Sequence, residues 1–148
     1  MNWDAIGAIG EVAGALAVVI TLVVLIVQLR QNTTEVRAST IQSLHELSIQ
    51  VFGESMISDV PVLLAKAQSG EEFTAAERQR YIMFLRRNLQ LFELVFMQYG
   101  QGRLSQEVMD AYNKRMRSHL DFAHWDELWP AIKPLMTVAF QQHIDGLK

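Results

Sequence analysis

Asp121-Phe122-Ala123-His124 sets a carboxylate and an imidazole at i, i+3 spacing, which places both on one face if the segment is helical. Such a pair is a fragment of a metal site. A di-iron helical site needs two Glu-x-x-His motifs and further glutamates on partner helices, and the chain offers no such second motif. His119 and His124 are five apart and do not share a face; with His45 and His143 they read as surface or capping side chains. There is no cysteine, which excludes disulfides, zinc–thiolate sites, iron–sulfur clusters and thiol nucleophiles. Ser48, Ser55, Ser58, Ser69 and Ser105 all lack the Gly-x-Ser-x-Gly context of a nucleophile elbow. Gly100-Gln101-Gly102 reads as a turn rather than a phosphate cradle. Glu93 has Arg86, Gln90 and Met97 on its side of a helix, the setting of a polar face or an inter-helix pair. No catalytic constellation can be assembled, and neither a metal nor a cofactor is expected.

Charge is distributed unevenly. All 13 Lys and Arg lie from Arg30 onward, and Asp4 and Glu11 are the only charged side chains before it. The remainder is almost neutral, so the basic field that nucleic-acid binding requires is missing. Arg78, Arg80, Arg86 and Arg87, and then Lys114, Arg115 and Arg117, form two basic stretches that could meet anionic lipid headgroups. Glu71, Glu72 and Glu77 stand near the first stretch, and a solvated face is the better reading.

The polar residues at the start of the chain keep a heptad rhythm. Asp4, Gly7, Glu11, Gly14, Val18, Thr21, Leu25, Gln28, Asn32 and Glu35 step by three and four alternately, so the polar side chains fall on one helical seam. Gly7, Gly10 and Gly14 are small enough to let two backbones approach. Thr21 and Gln28 can hydrogen-bond across helices, at about 0.6–2 kcal/mol each. An acid such as Glu11 is tolerable at depth when it faces a bundle interior or a watery lumen. The seam thus reads as a helix–helix interface in a homo-oligomer. The competing reading starts the buried segment at Val12 and leaves Glu11 at the headgroup level, where its side chain leans outward.

The element that positions this seam is an apolar helix. Val12 to Val27 contains Thr21 as its sole polar residue, and extension to Leu29 gives 18 residues. At 1.5 Å per residue that is about 27 Å, close to a hydrocarbon core of roughly 30 Å. A cleavable signal would need a basic n-region and a small-x-small exit, and Met1-Asn2-Trp3-Asp4 and Val27-Gln28-Leu29-Arg30 provide neither. A retained membrane anchor over residues 1–29 is expected, with a domain over 30–148. Arg30 and Arg37 follow the span and no basic side chain precedes it, so the C-terminal domain is expected in the cytoplasm and the N-terminus outside. Trp3 then suits the outer interface.

The run Trp3 to Glu11, then Thr21-Leu22, Val27 to Thr33 and Val36-Arg37-Ala38, resembles the opening of a widespread group of uncharacterised bacterial membrane proteins. Phe92-Glu93 and residues 125–140 extend the likeness loosely over most of the chain. The resemblance implies an N-terminal span, a helical C-terminal region and a bacterial inner membrane. It supplies no activity.

Beyond Arg30 the spacing stays helical. Val36, Thr40, Leu44, Leu47 and Val51 form one apolar face, predicting a single helix to about Phe52, with Asn32-Thr33-Thr34 as the place for a disturbance. Ser58-Asp59-Val60-Pro61 predicts a helix start with a capping side chain, and Gly70 its stop. Thr74-x-x-Glu77 is a capping box opening a helix to about Tyr99, with Ile82, Leu85, Leu89, Phe92 and Phe96 on one face. Ser105 opens the next, with Val108, Met109, Tyr112, Met116 and Leu120 inward. Residues from Trp125 to Ile144 read as helical with breaks near Pro130 and Pro134. No stretch alternates with period two. The expected fold is all-α: a single N-terminal transmembrane helix followed by a cytoplasmic antiparallel helical bundle. The functional expectation is a membrane-anchored interaction or scaffold protein that self-associates, with the lipid bilayer, a second copy and a protein partner as its contacts. A small homo-oligomeric channel or transport accessory, lined by Glu11, Thr21 and Gln28, is the alternative.

Overall fold

The computed structural model describes residues 3–57 and 59–148, with the side chains of 4–6 and 54–57 outside the description. The described residues form helices α1 (Trp3–Ile57), α2 (Val60–Ser69), α3 (Ala75–Gly100), α4 (Gln106–Leu120), α5 (Trp125–Ile132) and α6 (Val138–Leu147), with a 3₁₀ turn at Lys133–Leu135 between the last two. No strand occurs among them. The fold is all-helical with one long apolar N-terminal helix.

The chain divides into two compact units, Met1–Ser39 and Thr40–Lys148. The boundary read at Leu29 marks where apolar composition ends; the boundary between units marks where long-range packing begins. In the first unit every described side chain from Gly7 to Ser39 is exposed. The helix continues through Asn32-Thr33-Thr34 without the expected disturbance. Thr33 and Thr34 donate their hydroxyls to the carbonyls of Leu29 and Arg30, at 2.8 and 3.0 Å, so the polar side chains are absorbed by the helix itself.

In the second unit burial follows the spacing of apolar residues. The end of α1 contributes Leu44 and Val51, which meet Leu91 and Val95 of α3, Leu104 of the turn before α4, and Met109 of α4. Val36, on the same predicted stripe, stays exposed. A larger core gathers Leu63 and Ala67 of α2, Leu85, Leu89 and Phe92 of α3, and Met116 and Leu120 of α4. Trp125, Leu128, Trp129 and Ile132 of α5, then Met136, Phe140 and Ile144, complete it. α3 serves both cores, so its buried surface is wider than the single predicted face: Tyr81, Asn88, Leu91 and Val95 are buried besides Leu85, Leu89 and Phe92, while Ile82 and Phe96 are half-buried.

Local chemistry sets the helix ends. Thr74 and Glu77 form the capping box: the Thr74 amide donates to the Glu77 carboxylate at 2.8 Å and the Glu77 amide to the Thr74 hydroxyl at 3.3 Å. Ser105 accepts from the Val108 amide at the start of α4. Gly70 ends α2 with φ +74°, a conformation that favours glycine. The start of α2 differs from expectation. Asp59 precedes it without a side-chain cap and pairs with Arg80 instead, and Ser58 lies outside the described residues. Pro130 does not break the chain either: it lies within α5, and the break falls at Pro134 in the 3₁₀ turn. The stacked indoles of Trp125 and Trp129, 5.2 Å apart, and a 3.0 Å bond from the Trp129 indole to Asp145 hold the short α5 in place.

Candidate functional site

Two surfaces carry unsatisfied chemistry: the seam of the first unit and a groove in the second. The seam residues Gly7, Gly10, Glu11, Gly14, Thr21 and Gln28 are all in α1 and all exposed. On a straight helix of 3.6 residues per turn they occupy an arc of about 100°. A Cβ added at Gly7, Gly10 or Gly14 would meet nothing within 4 Å, so nothing inside the chain calls for glycine there. Thr21 donates its hydroxyl to the Ala17 carbonyl at 2.8 Å, leaving its oxygen lone pairs as what it can offer a neighbour. Asp4, at the head of the seam, has its side chain outside the description.

The groove lies between the end of α1 and α4 and encloses about 610 Å³. Ile41, Leu44, Ile49 and Phe52 form one wall, and Leu104, Val108 and Ala111 the other. Four polar side chains enter it: His45, Ser48, Tyr112 and Arg115. Ser48 and Tyr112 bring their hydroxyls to 3.3 Å, and Ser48 donates to the Leu44 carbonyl at 2.7 Å. The Ser48 proton is thereby committed, so the phenol of Tyr112 is the donor between them. The Arg115 guanidinium lies over the Tyr112 ring, 5.2 Å from its centre, a cation–π arrangement. Among the described residues no carboxylate lies within ion-pair distance of Arg115.

Other residues singled out by spacing take structural roles. Asp121 and His124 do not share a helix face, because Asp121 to His124 is the turn between α4 and α5. The His124 ring instead meets the Glu71 carbonyl at 3.0 Å and packs on Phe73. Among the described residues no three His, Asp or Glu side chains converge as a metal site would require. Glu93 makes an inter-element bond: its carboxylate accepts from the Thr137 amide at 2.6 Å, at the start of α6. Arg78 pairs with Glu127 and Arg80 with Asp59, while Lys66 takes Glu77 at 2.9 Å and Glu71 at 3.4 Å. The first basic stretch is therefore partly neutralised by ion pairs within the unit.

Several buried polar groups escaped sequence reasoning. Asn88 is 2 % exposed, donates to the Phe84 carbonyl at 2.9 Å, and has no partner for its side-chain oxygen among the described residues. His119 buries an unpartnered Nδ1 beside Phe122, and desolvation pushes its pKa down. Burial raises the Tyr81 phenol to about 12. The groove too was invisible as a site, although its stripe had a signal: Ile41, His45, Ser48 and Phe52 recur at helical spacing beside the Leu44–Val51 face.

The class of protein thus defined is an all-helical chain whose N-terminal helix is long and apolar enough to cross a membrane. No family model, curated protein or solved structure matches this chain.

Proposed function

We propose that the protein is anchored in a membrane by one pass of α1 and self-associates along the Gly7–Gln28 seam, presenting an antiparallel helical bundle as an interaction domain. The observation that carries this reading is exposure. No residue in an 18-residue apolar window of α1 is buried by the rest of the chain, so lipid or another copy must cover it. Twelve Val, Leu and Ile lie between Val12 and Leu29. At roughly −0.3 to −0.6 kcal/mol each they favour insertion by on the order of 5 kcal/mol. The positions of Arg30 and Arg37 support a cytoplasmic C-terminal domain, and the resemblance of the opening segment supports a bacterial inner membrane.

Self-association rests on the three glycines, which have no role inside the chain, and on Glu11 sharing their arc. Leucine at position 14 would hold apart two backbones that glycine lets touch. Gly14→Leu and Glu11→Leu should lower oligomer mass and crosslinking yield in nanodiscs, whereas Val19→Leu, off the seam, should leave both at the parent value. Equal behaviour of all three variants would remove the interface.

A further inference from the structure

Two stripes face each other across the groove of the second unit. Ile49 and Phe52 of α1 are 60 % and 39 % exposed, more than the interior of a packed unit leaves open. Across from them Val108 continues the apolar surface, and the exposed Arg115, which has no carboxylate partner among the described residues, supplies a positive charge. A volume of about 610 Å³ falls in the range of single small-molecule sites. Such a groove fits a molecule that is long and apolar with one anionic end.

We propose that the groove binds a free fatty acid, its acyl chain lying along Ile49, Phe52 and Val108 and its carboxylate on Arg115 and the Tyr112 hydroxyl. The charges fit in sign and number. A carboxylate accepts from the guanidinium, which Tyr112 holds in place by the stacking seen at 5.2 Å. The Tyr112 phenol donates to Ser48 over a long 3.3 Å, a bond that its O–H can exchange for a stronger one to a carboxylate. An ionised acid complements the charge of Arg115 at one end of the groove, and the acyl chain covers the exposed isoleucine and phenylalanine. This site does not depend on the oligomeric seam, and its test takes from the proposed function the membrane anchor alone.

The test uses the full chain in phosphatidylcholine nanodiscs and a palmitic acid carrying a mid-chain diazirine, with the corresponding long-chain alcohol as neutral control. Illumination should label peptides covering residues 41–52 and 104–115, and excess unlabelled palmitic acid should suppress that labelling. Arg115→Gln should reduce acid labelling at least ten-fold while leaving alcohol labelling unchanged. Ala111→Trp, which fills the groove, should abolish both, with a melting midpoint recorded beside the parent to confirm folding. Acid labelling that survives Arg115→Gln, or labelling confined to residues 12–29, would each overturn the proposal.

Discussion

Burial of the His119 ring beside Phe122 lowers its pKa below the ordinary 6.5, and burial lowers that of His143, packed on Phe96, in the same direction. A histidine whose folded pKa is depressed favours folding while it is neutral. As pH falls through 6.5 the unfolded chain takes up protons that the folded chain refuses, and stability is lost. The carboxylates act lower. Glu77, bonded to Lys66 and to Thr74, is held at about 2 against an ordinary 4.5, so its contribution is complete above 4.5 and lost as pH falls toward 2. Melting curves should show a first decline in midpoint as pH falls below 6.5, and His119→Phe should flatten part of it. An unchanged slope in that variant would place the histidine in water. The Thr74–Glu77 bonds were legible from spacing; the burial of the histidines was not. Met116 and Leu120 mark the inward face of α4, but Phe122, which covers the His119 ring, comes from the turn after the helix, where periodicity has no meaning.

At the scale of the element, the sequence was most informative where backbone chemistry alone sets the outcome. Thr74 and Glu77 satisfy each other's amides through neighbours three residues apart, so the start of α3 is written locally. Thr74→Ala should lower unfolding stability by about 1 kcal/mol, read from chemical denaturation, and Thr74→Ser should restore most of it. A zero change would mean that tertiary packing alone fixes the start of α3. Legibility failed where contacts distant in sequence intervene. Asp59 looked like a cap and is instead drawn to Arg80 of α3. Pro130 looked like a break, yet Trp129 is anchored to Asp145 of α6, and α5 runs on to Ile132. The width of the α3 face was also missed. One apolar stripe, Ile82 to Phe96, predicts one core, whereas Leu91 and Val95 serve a second, with the end of α1.

For the whole molecule, the division into Met1–Ser39 and Thr40–Lys148 separates two modes of covering apolar surface. The second unit buries its own: among the described residues 21 hydrophobic side chains are buried, and all of them lie from Leu44 onward. The first unit buries none of its described side chains, and its Val, Leu and Ile side chains from Val12 to Leu29 are each at least 47 % exposed. An apolar run without covering partners is unstable in water by the same hydrophobic term that stabilises the second unit. Membrane anchoring is therefore the claim on which orientation and seam both depend. Alkaline carbonate extraction of cells expressing the full chain at native level tests it most directly. The protein should be recovered with the membrane pellet, together with an integral-membrane marker; its release into the carbonate supernatant, or its presence in the soluble fraction before extraction, would contradict membrane anchoring.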